Sequence, residues 1–221
     1  MNAVTRFLSN DSMFGRLMTK AGIFIAVNLL FLLGCLGVVT AGASLCALYY
    51  TEMRYLRGER EMNPFRVFWK GFSENFLRAT VVWIASMALM LFLALEMFWC
   101  SQFEGAMHLF VYALPVLLAA TVVIAAYTFP GIAAFEANLK QHILNSLFFA
   151  GKSPVTILLV AASAALPAYL TWLLPEFLPL SAFLWCSVGF SFVGWLQSKL
   201  FLELYAPYLA VRKDEMLYTL K

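Results

Sequence analysis

Six cations fall between Arg54 and Arg78, namely Arg54, Arg57, Arg60, Arg66, Lys70 and Arg78, in a chain that is otherwise oily. Glu59, Glu61 and Glu74 share the stretch, which therefore nets +3, the same as the whole protein. Phe65, Phe68, Trp69, Phe72 and Phe76 lie among these charges at spacings of three or four residues or next to one another. On a helix that spacing gathers five aromatics on one face, with Arg66, Lys70, Ser73 and Glu74 on the other. The chemistry this suits is contact rather than bond-breaking: a membrane–water boundary, or a surface that docks a partner. Phe65, Phe68, Trp69, Lys70, Phe72, Asn75 and Phe76 are the docking candidates.

Isolated polar side chains inside apolar runs are the next candidates, because they are costly in lipid and face protein or water. Asn28 stands within the first apolar run, Thr40 at a glycine-rich break, and Glu96 near the end of a later run. Asn28 suits an interhelical hydrogen bond, worth on the order of 1 kcal/mol, with ligand contact as the alternative. The Thr40 hydroxyl is placed to cap a following helix by accepting from a first-turn N–H. Glu96 is placed for solvation by water or headgroups, with proton coupling as the alternative. Glu52 is expected to pair with Arg57 or another basic neighbour.

Several kinds of chemistry have no motif here. There is no G-x-x-x-x-G-K-[ST] run for a nucleotide and no G-x-S-x-G elbow. His108 and His142 have no cysteine or carboxylate at ligand spacing, so no metal, and no cofactor, is expected. Cys35, Cys46, Cys100 and Cys186 are scattered through apolar stretches without a C-x-x-C pair. They read as small buried hydrophobes, although Cys35 and Cys100 both approach the same face of a membrane. Nothing points to catalysis or to nucleic acid.

The elements that position these residues follow from composition. The chain has 221 residues, 63% hydrophobic and 12% charged, whereas soluble domains carry about 25% charged residues. Several uncharged runs reach the roughly 20 residues needed to cross a bilayer. The expected fold is an all-α, polytopic membrane helix bundle in a single domain, residues 1–221. An interfacial lead covers residues 1–20. The apolar run from Ala21 to Thr51 is too long for a secretory signal. Ala21–Leu36 is the first span. Gly34, Gly37 and Gly42 mark a break, and a second short helix returns from Gly42 to about Tyr55.

Pro64 suits the first position of a helix that continues into a span over Ala79–Trp99. Ala106–Ala134 is the next span, with kinks expected at Pro115 and at Pro130–Gly131. Glu136 to Asn145 reads as a polar inner loop. Val155–Leu174 and Leu180–Leu202 complete about six spans. With both termini inside, all fifteen Lys and Arg lie on the cytoplasmic side or at its edge, including the aromatic–basic segment 54–78.

Two runs carry a family resemblance. Leu36-Gly37-Val38-Val39-Thr40-Ala41-Gly42-Ala43-Ser44-Leu45-Cys46-Ala47-Leu48-Tyr49-Tyr50 resembles the signature of the YesL family (domain of unknown function 624). So does Phe68-Trp69-Lys70-Gly71-Phe72-Ser73-Glu74-Asn75-Phe76, and Asn28 matches an asparagine in the family's first span. The family often has proline where this chain has Gly37, so the hairpin bend is expected to be made differently. The resemblance implies a bacterial inner-membrane protein encoded beside carbohydrate ABC importers. It implies an accessory subunit that contacts the importer's permease or ATPase, in the service of oligosaccharide uptake, with no catalytic residues to carry over. The alternative is a small stand-alone sugar transporter, using helices broken at Gly37, Pro115 and Pro167.

Overall fold

The computed structural model describes residues 13–219 apart from 60–61, 104, 106–107 and 109. The expected lead therefore lies largely outside the described residues. Helix α1 already runs from Met13 to Cys35. A 3-10 turn at Val38–Thr40 leads into α2, Ala41–Leu56. Then follow α3, Pro64–Cys100, and α4, Phe110–Ala134. After α5, Leu139–Lys152, comes α6, Pro154–Leu173. A 3-10 turn at Pro175–Phe177, α7 at Leu178–Leu184, a π-turn at Trp185–Gly189 and α8 at Phe190–Thr219 form the last limb. No strand occurs among the described residues.

Among the described residues, five stretches are long and apolar enough to cross a membrane: Met18–Cys35, Pro64–Cys100, Phe110–Ala134, Pro154–Leu173 and Pro175–Leu209. Helix α2, at 16 residues, rises only about 24 Å. It is instead the hub of the bundle, packed by α1, α3, α4 and α8. Small residues allow this. Gly42, Ala43, Ser44 and Ala47 are all buried, and the backbone of α3 comes so close that a Cβ on Gly42 would sit 2.7 Å from the Ala79 carbonyl. Gly42 was expected to mark a break; it lies instead inside the first turn of α2, where it permits this approach.

The bend between α1 and α2 also differs from expectation. Thr40 does not cap α2 with its side chain. Its hydroxyl turns back to the end of α1, donating a shared proton to the carbonyls of Gly34 (2.6 Å) and Gly37 (2.7 Å). Carbonyls in the last turn of a helix have no intrahelical partner, and this hydroxyl supplies one. Ser44 adds a second fastening by donating to Phe31 O at 2.8 Å.

Helix α3 starts as the sequence predicts, with Pro64 in the first turn and Asn63 Oδ1 accepting from the Arg66 N–H at 3.2 Å. Its 37 residues rise about 55 Å, against a hydrocarbon core of about 30 Å. The tip of the α1–α2 hairpin meets it at Trp83, whose Nε1 donates to Val38 O at 2.9 Å. From Trp83 to Cys100 the helix continues another ~26 Å, packed by α4.

The stretch read as a polar inner loop is partly a helix. Residues 135–138 are irregular, but Asn138 Oδ1 accepts from the Gln141 N–H at 2.8 Å and α5 follows. One face of α5 buries His142, Ser146 and Phe149. Phe149 enters a ring cluster with Tyr205 (4.8 Å between centroids), to which Phe135 adds at 5.0 Å. Tyr127 and Phe201 pack edge to face at 5.4 Å in the same cluster. Pro115, Pro130 and Pro167 all lie within continuous helices.

Candidate functional site

Two places concentrate polar or exposed aromatic groups. The first is inside the bundle, where α1, α2 and the last limb meet. A π-turn admits one extra residue into a helix, disturbs its hydrogen-bond ladder, and often marks a functional position. Asn28 of α1 serves this turn. Its Nδ2 donates to Cys186 O at 2.7 Å and to Trp185 O at 3.1 Å, and its Oδ1 accepts from the Ser191 N–H at 3.0 Å. The side chain is fully buried and its amide is committed to protein backbone.

Ser191 extends the chain of bonds. Its hydroxyl donates to Glu52 of α2 at 2.5 Å. The sequence pairs Glu52 with Arg57 or a basic neighbour; the structure corrects this. Glu52 is 1% exposed, while Arg54 turns outward to Glu59 (2.7 Å) and donates to Tyr50 Oη at 3.0 Å. Two residues apart on a helix, the side chains point in different directions. Three residues before Glu52, Tyr49 donates to Gln197 Oε1 at 2.6 Å, and Gln197 Nε2 reaches Ser163 Oγ (3.1 Å) and Val160 O (3.2 Å) on α6. Gln197 thus ties three helices.

The second place is the first half of α3. The structure divides the aromatic set. Phe65, Trp69 and Phe76 are exposed, with Lys70 beside them, while Phe68 is buried against Val27, Ala47 and Leu48. Phe72 is half-buried and carries its exposed neighbours: Trp69 stacks on it at 5.6 Å and Phe76 tilts against it at 5.5 Å. Asn75 is buried and donates to Gly71 O at 3.0 Å. Lys70 and Glu74 approach to 3.8 Å in an exposed pair, worth at most about 0.5 kcal/mol.

The remaining candidates lie apart. Glu96 is half-buried on the extension of α3 beyond Trp83. His142 is buried in α5, with neither ring nitrogen in hydrogen-bonding geometry. Burial first, then the Arg78 charge, hold its pKa below the ordinary value. No group of metal-ligating side chains occurs among the described residues. All four cysteines are free thiols.

Sequence reasoning misassigned the partner of Glu52 and missed Ser191 and the π-turn. The available signal was a carboxylate in a short apolar helix together with Ser191 and Gln197 in the last one.

Residues 24–97 match the family described as "Protein of unknown function, DUF624". Asn28 and both motif runs, 36–50 and 68–76, fall inside that match. The curated relative "Uncharacterized protein YesV" of Bacillus subtilis (strain 168) is 26% identical over 144 residues, 65% of this chain and 68% of that one. No solved structure matches.

Proposed function

We propose that this membrane protein, which carries the DUF624 signature across residues 24–97, is an accessory subunit beside a carbohydrate ABC importer. It performs no catalysis of its own. It lies in a bacterial inner membrane with both termini in the cytosol, which puts its fifteen Lys and Arg on that side or at its edge. The partner is the importer's permease or ATPase, and the cargo an oligosaccharide.

The observation that carries this reading is the length of α3. Its 37 residues exceed the bilayer by roughly 25 Å. The excess falls on the charged half, Pro64 to Arg78, because residues 79–95 carry no charge. That half presents Phe65 and Trp69, 60% and 67% exposed. Trp69 is held by its stack on Phe72, so little side-chain freedom remains to be lost on docking. Exposed aromatics flanked by cations are the residue types that anchor protein interfaces.

The test is co-purification from native membranes in mild detergent. Permease or ATPase subunits should come with the chain, and Phe65→Ala with Trp69→Ala should lower their recovery by about ten-fold or more, as loss of an aromatic anchor does. A lone monomer, with sugar uptake unchanged on deletion, would sink the proposal. The π-turn favours a second reading, a small stand-alone sugar transporter, because discontinuous helices build many transporter sites. Liposomes holding the pure protein would then move sugar without any ATPase.

A further inference from the structure

Glu52 is a buried carboxyl that no ion pair accounts for. On the neighbouring segments Arg54 pairs with Glu59 and Lys70 with Glu74. On the helices packed around it, Lys20 of α1 rests over the Trp195 ring at 5.9 Å, and Tyr49 of α2 donates to Gln197. Arg66 and Arg78 of α3, and Lys199 and Glu203 of α8, are exposed, and α4 has no charged side chain. The carboxyl's hydrogen bond comes from the Ser191 hydroxyl. A carboxylate in such surroundings is destabilised by the loss of its hydration, and a bound proton removes that cost.

Ser191 is the junction between this carboxyl and the break in the last limb. Its hydroxyl donates to Glu52, its N–H donates to Asn28, and Asn28 donates to the Trp185 and Cys186 carbonyls at the start of the π-turn. Carboxyl, serine, asparagine and π-turn are one continuous hydrogen-bonded chain across three helices.

We propose that Glu52 is a proton-binding site of the bundle interior, and that its occupancy sets the register of the π-turn Trp185–Gly189. With the proton bound, the carboxyl is neutral and its Oε1 accepts from the Ser191 hydroxyl. Exposed Arg57 lies five residues along the chain, about 8 Å of helical rise, which makes that end of α2 the short way to water. The anion left behind demands further donors. The nearest are the Ser191 N–H and the Asn28 amide, which now serve one another and the two carbonyls. Drawing them to the carboxylate leaves Trp185 O and Cys186 O without these partners. The carbonyls recover partners when the π-turn tightens to α-helical spacing. Removing the one extra residue of a π-turn advances α7 relative to α8 by about 1.5 Å and turns it by about 100°. This device concerns a different part of the fold from the α3 surface and does not depend on the docking reading.

The experiment uses the full chain in lipid nanodiscs at a series of pH values. Infrared difference spectra read the carbonyl stretch of buried protonated carboxyls. Hydrogen exchange of peptides covering 178–191, corrected for its intrinsic pH dependence, reads the π-turn. In the unaltered protein a carboxyl band should fade as pH rises, and exchange over 178–191 should change about ten-fold at the same midpoint. Glu52→Gln should lack the band and hold the low-pH exchange pattern throughout. Ser191→Ala should keep the band but uncouple exchange from it. A band that persists in Glu52→Gln overturns the proposal, as does exchange that follows pH alike in both proteins. If Glu52→Gln does not assemble, Ser191→Ala decides alone: band and exchange still moving together would sink the idea.

Discussion

The side-chain oxygen of Asn28 and the backbone N–H of Ser191 are 163 positions apart in sequence and meet at 3.0 Å. Because the same amide also donates to the Trp185 and Cys186 carbonyls, Asn28→Leu removes every partner it gives the π-turn while keeping the volume. Two carbonyls and an N–H then lose their bonds in a water-poor interior. The expected cost is about 2–4 kcal/mol, read as a lower midpoint when the protein is unfolded by denaturing detergent from mild-detergent micelles. A variant as stable as the parent would show that the π-turn satisfies itself.

The apolar helices and the start of α3 were legible because each is written locally, in uncharged runs and in the Asn63–Pro64 cap, whereas the split of the aromatic set into buried Phe68 and exposed Trp69 was not. The hub role of α2 was only half legible. Its small residues could be seen, but Gly42 reads equally as a breaker or as a close contact until Ala79 and Trp83 are placed against it. Glu52 was misread for a related reason: Arg57 is five residues away in sequence, while its partner Ser191 is 139 away. The π-turn leaves no compositional mark at all, since one extra residue in an apolar helix looks like any other. Helix α5 did carry a signal, an Asn138 cap three residues before Gln141, beneath a run polar enough to resemble a loop.

Gln197 joins α8 to α2 and α6 through separate atoms, its Oε1 accepting from Tyr49 and its Nε2 donating to Val160 O and Ser163 Oγ. Tyr49→Phe breaks one bond and Gln197→Leu breaks all of them, so the glutamine variant should lose more stability. A double-mutant cycle between the two should return a coupling of about 0.5–1.5 kcal/mol, the range for hydrogen bonds between membrane helices. Strict additivity would mean that the 2.6 Å contact does not stabilise the bundle.

His142 gives the protein a pH-dependent stability. Its ring is buried in α5, and burial with the Arg78 charge depresses its pKa below the ordinary value of 6.5. The unfolded chain therefore takes up this proton at a higher pH than the folded one. Above the unfolded value neither state is protonated and the residue adds no pH dependence. As pH falls through 6.5, the unfolded state gains a proton that the folded state refuses, and stability drops until the folded pKa is passed. Unfolding midpoints measured across this window should fall with pH for the parent and lose that slope in His142→Gln. An unchanged slope in the variant would assign it to other groups.

Two glycines on neighbouring helices should respond oppositely to the same added methyl. At Gly42 a Cβ meets the Cβ of Trp83 and lies 2.7 Å from the Ala79 carbonyl, and the latter is backbone of a packed helix that cannot rotate aside. Gly42→Ala must push α2 off α3, at a cost of about 1–3 kcal/mol typical of overpacking. At Gly22 in α1 nothing lies within 4 Å of the same atom. Gly22→Ala should gain up to about 1 kcal/mol, because alanine gives up less backbone freedom in a helix than glycine. Unfolding midpoints of the two variants, compared in one detergent, should move in opposite directions. A Gly42→Ala midpoint at or above the parent's would show that α2 and α3 are not in the close contact that makes α2 the hub of the bundle.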